Sequence, residues 1–165
     1  MPCAWVTGDT IYGGDRRLRV WLEQRGQPFV LAVPKSEPLW MPSFRQVRAD
    51  EIAADLEQEK GREAWHRLSA GMGAKGPRLY DWAWQRLDRL QLTPEERRWG
   101  HWLLVRRSVD EPRELAYYVV FAPADTPLAE LVRVAGSRWS LEACFEAAKG
   151  EFGLDQYEVR RWDAW

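Results

Sequence analysis

Two sets of residues have the types and spacing to do chemistry. Asp9 follows the short apolar run Ala4-Trp5-Val6-Thr7, which Gly8 and Asp9 stop. A carboxylate leaving the carboxyl end of a buried strand faces the crevice where α/β sheets take ligands, and it suits a hard divalent cation such as magnesium. The competing reading is a turn aspartate that caps the next segment. The second set is Arg138, Glu142 and Lys149. Spacings of four and seven put all three within roughly a 40° arc of one helix face. A carboxylate between two cations either binds a metal beside a phosphate grip or belongs to an ordinary surface stripe of ion pairs, each worth about 0.2–0.5 kcal/mol.

The elements that must position these residues are partly legible. A strand ending at Gly8 or Asp9, a glycine-rich turn through Gly13-Gly14, a helix over 15–25 ended by Gly26, and a buried strand Phe29–Val33 together predict a parallel βαβ unit. From 34 to 101 the periodicity weakens. Residues 50–63 carry six acids and two bases and read as a solvated helix. Residues 69–78 read as a glycine-rich loop. Thr93-Pro94-Glu95-Glu96 is a helix start with a capping box. Trp102–Arg106 and Tyr117–Phe121 read as a hairpin. A helix starts at Thr126-Pro127, is interrupted at Gly136, and is followed by a second helix ending near Gly150.

Composition bounds the function. The chain has 165 residues, 45% apolar and 30% charged, with a net charge of -1. Near-neutrality leaves no global field to draw nucleic acid, so any such role rests on a local patch. Twenty arginines against four lysines fit either phosphate recognition or the codon bias of a GC-rich genome. No run of 18 apolar residues predicts a membrane span, and the start lacks a signal-peptide pattern. Cys3 and Cys144 are too few for a disulfide framework, and the expectation is a cytoplasmic protein with free thiols. His66 and His101 stand far from paired cysteines, which argues against zinc. The glycines at 71–76 lack the Gly-x4-Gly-Lys-Ser/Thr order of a nucleotide loop. The eleven tryptophans, Trp5, Trp21 and Trp139 among them, are expected mainly in the core.

The helix from Ala135 to Lys149 resembles the Y-x2-R-x3-E-x6-K signature of bacterial insertion-sequence transposases. Arg138, Glu142 and Lys149 match R, E and K, and the tyrosine position holds Ala135. The run Trp5-Val6-Thr7-Gly8-Asp9-Thr10-Ile11-Tyr12-Gly13 looks like the strand bearing that family's second catalytic aspartate. Segments 69–82 and 149–160 also look like family blocks, in the family's order. The resemblance implies an α/β, RNase-H-like fragment: a βαβ core at 1–33, an insertion at 34–124 and a C-terminal helical part at 125–165. It implies DNA transposition by a DDE triad that holds two magnesium (or manganese) ions at a DNA phosphodiester. Asp9 and Glu142 are then the catalytic and metal-binding carboxylates, and Arg138, Lys149, Lys75 and Arg78 contact DNA.

The family's first aspartate lies on an earlier strand. Only eight residues precede Asp9, and none is acidic. The expectation is therefore the C-terminal part of a catalytic domain, from a decayed gene, a split reading frame or a truncated piece. Such a chain is expected to be inactive alone, with weak metal binding and an unpaired strand edge through which it self-associates. The alternative is a non-enzymatic DNA-binding module, or one that binds the full-length transposase and inhibits transposition.

Overall fold

Phe29–Val33 is apolar at every position, the pattern of a strand covered on both faces, and it forms β2, an interior strand next to the edge of a six-stranded sheet. The computed structural model describes residues 4–41, 45–73, 76–87, 91 and 93–152, with the backbone alone at 140–143 and 145–152. Around β2 lie β1 (Val6–Gly8), β5 (His66–Gly73), β6 (Gly76–Arg86), β7 (Trp99–Arg107) and β8 (Leu115–Pro123), in the spatial order β1-β2-β8-β7-β6-β5. β1 runs parallel to β2, as the βαβ reading predicts, and the other neighbours are antiparallel. Strands β3 (Pro38–Trp40) and β4 (Gln46–Arg48) make a separate two-stranded sheet. The described helices are α1 (Thr10–Gly14), α2 (Arg16–Gln24), α3 (Ala49–Lys60), α4 (Pro94–Arg97) and α5 (Leu128–Phe152).

Strand alternation divides the core into two layers. Phe29, Leu31, Val33, Leu103, Val105 and Val119 face one side, where Leu22 of α2 and Ile52 and Ala53 of α3 cover them. Val30, Leu104, Val120, Trp82 and Trp102 face the other, under Leu131, Val132 and Ala135 of α5. The chain is thus mixed α/β, with helices on both faces of one sheet. The β6, β7 and β8 strands of the 34–124 stretch continue the sheet that contains β1 and β2. Buried Arg19 of α2 pairs with buried Glu37, clamping α2 to the connection after β2.

Several elements differ from the sequence expectation. The predicted turn at Gly13-Gly14 is the end of α1, because Asp9 caps a helical turn there. The predicted loop at 69–78 is largely strand, the two arms of the β5–β6 hairpin. Small residues at its tip imitate a loop composition while cross-strand pairing supplies the order. The helix at 49–60 does not present a solvated face all round: Ala49, Ile52, Ala53 and Leu56 are buried at helical spacing, and the acids occupy the remaining face. Trp21 is half exposed, with Arg25 stacked 3.8 Å over its ring, so it stands outside the core. The capping box at Thr93 and Glu96 forms as expected. Cys144 is a free, exposed thiol, and Cys3 lies outside the described residues.

Gly136 does not interrupt the last helix; α5 runs unbroken through it to Phe152. Its role is steric. A Cβ there would sit 1.8 Å from the Ala70 carbonyl oxygen of β5. Gly136→Ala is therefore expected to cost about 1–3 kcal/mol or more through overpacking, read as a lowered urea midpoint. Gly14→Ala, which meets nothing within 4 Å, is expected to be neutral or slightly stabilising.

Candidate functional site

Asp9 leaves the carboxyl end of β1, the outermost strand on its side of the sheet among the described residues. Its backbone is extended, and its Oδ1 accepts hydrogen bonds from the Ile11 N–H at 3.0 Å and the Tyr12 N–H at 3.4 Å. The capping reading of Asp9 is thus realised at one oxygen. Both bonds fall on Oδ1. The cap is held from below by Gly13, where a Cβ would lie 1.8 Å from the Ala32 carbonyl oxygen of β2. This contact seats α1 on the sheet and fixes the Asp9 carboxylate beside exposed Ile11 and Tyr12.

Arg138 is half buried on α5 and already engaged by a neighbour. The unbroken helix keeps Arg138, Glu142 and Lys149 in the spacing that shares one face. The side chains of Glu142 and Lys149, and Lys75 altogether, lie outside the described residues. α5 packs against β1, β2 and β5; Arg138, two residues past the Gly136 contact with Ala70, lies on the β5 side of the sheet, and it is the first turn of α5 that approaches β1. Trp5 reinforces that approach by bonding Glu130 in the first turn of α5, whose carboxyl Arg133 holds below its usual range. Among the described residues no group of three or more His, Cys, Asp or Glu side chains could hold a metal.

Arg78 is half buried on β6 at the hairpin. Behind it lies an arginine cluster that sequence reasoning missed. Arg106 and Arg107 are adjacent on β7 and so point to opposite faces. Arg107 stacks 3.9 Å over Trp65 and pairs with Glu57 of α3 at 3.0 Å. It also meets Asp81 at 3.5 Å, and Arg67 reaches the same carboxylate at 2.9 and 3.3 Å. Residues 67, 81 and 107 are direct register partners on β5, β6 and β7. They form one rung with a carboxylate between two guanidiniums. Arg106 turns the other way, over the rings of Tyr80 (4.5 Å) and Trp139 (4.9 Å). The only signal in the sequence was the Arg-Arg pair inside an apolar strand, and its partners lie far away along the chain.

The hydrogen bond from Arg67 holds the Asp81 carboxyl below its usual range, against the opposing effect of burial, with Arg107 adding to the lowering. A depressed folded-state pKa gives stability that is present above the unfolded value of about 3.9 and is lost as pH falls through the folded value. Asp81→Asn is accordingly expected to be less stable than the parent at pH 7, with the gap closing only in acid below the ordinary carboxylate range. Urea midpoints from pH 7 to pH 2 measure this; a gap that is constant across the range counts against the rung. Among the described residues no helix is long and apolar enough to cross a membrane. No protein-family model matches the chain, and no curated protein gives a significant match.

Proposed function

We propose that the chain is part of the catalytic domain of a DDE transposase, an RNase-H-like fragment that carries the second aspartate (Asp9) and the glutamate (Glu142) of the triad. The observation that carries this reading is a carboxylate at the end of β1 together with an unbroken α5 that keeps Arg138, Glu142 and Lys149 on one face. α5 reaches β1 through its first turn and carries the R-E-K stretch onward past its contact with β5, and the sequence resembles the family both at Asp9 and along that stretch. Asp9 and Glu142 would share magnesium or manganese, which when bound activates the attacking oxygen and steadies the leaving oxygen of a DNA phosphodiester. The chain's own cations do the positioning. Arg138 and Lys149 grip phosphate beside the carboxylates, and Lys75 and Arg78 extend the contact along the hairpin. These contacts read charge and not bases, so binding is weak, sequence-indifferent and salt-sensitive.

A second reading, a DNA-binding or transposase-interacting module without catalysis, is favoured by one observation: Asp9 Oδ1 already serves as a helix cap. Asp9→Asn separates the two. Asparagine keeps an acceptor for the cap, so stability should change by no more than about 0.5 kcal/mol, whereas Asp9→Ala should cost about 0.5–2 kcal/mol. The enzyme reading expects manganese binding by calorimetry on the order of 10⁻³ M, abolished by Asp9→Asn and by Glu142→Gln. Equal metal binding in parent and both variants would leave only the module. For DNA, changing Arg138 and Lys149 together to alanine is expected to reduce the salt slope of duplex binding by roughly two. An unchanged slope would remove both residues from the interface.

A further inference from the structure

The arginine that turns away from the Asp81 rung opens onto a groove of about 650 Å³, between the β5–β6 hairpin, the β7–β8 connection and Trp139 of α5. Arg67, Arg78 and Arg106 line it, one from each of three neighbouring strands. Their charges are not equally spent. Arg67 is held by two bonds to Asp81. No carboxylate pairs with Arg78 among the described residues; its Nε lies so near Gly73 that a Cβ there would be 2.8 Å away, so the glycine lets the side chain lie across the hairpin.

Arg106 is the unusual one. Its side chain is 12% exposed, yet its nearest carboxylate is Glu114 at 3.5 Å, at the limit of hydrogen bonding, and the Glu114 side chain is 60% exposed. Arg106 Nε is buried without a hydrogen-bond partner. Besides this one long ion pair, the guanidinium is flanked by the two rings of Tyr80 and Trp139, themselves 5.5 Å apart. Stacked cations of this kind gain about 0.5–2 kcal/mol and keep their in-plane N–H donors available. A forked donor held rigid by aromatics, facing a weakly bound exposed carboxylate, is what a bidentate phosphate contact requires. Glu114 sits where such an anion would sit.

We propose that this groove is a seat for a DNA backbone phosphate, with Arg106 as its fixed donor, Arg78 as its second cation, and Glu114 as an internal anion that the phosphate displaces. This rests on the transposase reading and extends it. The DNA-contacting surface then runs from Arg138 on α5, past its neighbour Trp139, onto the three-stranded part of the sheet. Tyr80 and Trp139 act as positioning residues for Arg106.

The test is binding of a fluorescein-labelled DNA duplex in EDTA at fixed salt, so that no metal contributes and Arg138 and Lys149 stay in place. Glu114→Gln is expected to bind several-fold tighter than the parent, because the competing anion is gone. Glu59→Gln is the control for net charge: Glu59 is exposed on α3, which packs on the other face of the sheet, and this variant should bind like the parent. Arg106→Lys keeps the charge but loses the fork, and should weaken binding about tenfold while Glu114→Gln no longer helps it. If Arg106→Lys fails to fold, Glu114→Gln with Arg78→Ala decides. A Glu114→Gln variant no tighter than Glu59→Gln overturns the seat and leaves the transposase reading standing. Absence of any DNA binding by the parent overturns both. Tightening for a poly-glutamate peptide and not for DNA would assign the groove to an acidic protein partner and overturn the proposal.

Discussion

The close approach of α5 to β5 at Gly136 and Ala70 is the constraint on which the site depends. The helix axis lies nearer the sheet than any side chain at 136 would allow. That distance sets how deeply Leu131, Val132 and Ala135 enter the core and where the next turns of the helix emerge. Trp139 comes out one turn later against Tyr80, and the half-buried Arg138 beside it. Because interiors are close-packed, a shift of the helix by the width of a methyl group would move every one of these contacts. The candidate site therefore inherits its geometry from a packing contact that includes none of its own residues.

The sheet performs a second sorting of the same kind. Two successive arginines on β7 receive opposite fates from strand alternation alone. Arg107 is locked into a rung with Asp81 and Arg67 and bolted to α3 through Glu57. Arg106 is delivered to the α5 face, where two aromatic rings flank it and a single exposed carboxylate, Glu114, meets it at 3.5 Å. A charge satisfied by carboxylates on both sides contributes to structure. A charge held by rings retains hydrogen-bonding capacity, and capacity of that sort is what an anionic ligand uses. The buried Arg19–Glu37 pair belongs to the first kind. Removal of either partner would strand a buried charge, which is costly even where the intact pair adds little net stability.

Asp9 has a structural role of its own. Its Oδ1 accepts from two backbone N–H groups and orders α1. Those bonds also fix the orientation of the remaining oxygen. On the transposase reading proposed above, that second oxygen would be the one left for a metal, once a second carboxylate is brought within reach.

The sequence by itself determined the local grammar: the β1–α2–β2 unit, the Thr93 capping box, the β7–β8 hairpin and the placement of Asp9 at a strand end. Each of these depends on residues within a few positions of one another, through alternation, capping or helical spacing. The alignment of Arg138, Glu142 and Lys149 on one helix face was legible for the same reason. Tertiary structure decided the rest. Gly136 reads locally as a helix breaker, and only the Ala70 carbonyl pressed against it turns it into a packing residue. The glycines of 69–78 read as a loop because composition does not reveal a cross-strand partner. The seating of Arg106 between Tyr80 and Trp139 needs β6, β7 and α5 together, residues tens of positions apart whose meeting no local period encodes. Contacts within a turn or a strand are dictated by backbone geometry and can be read directly, whereas contacts between elements depend on how the whole core closes.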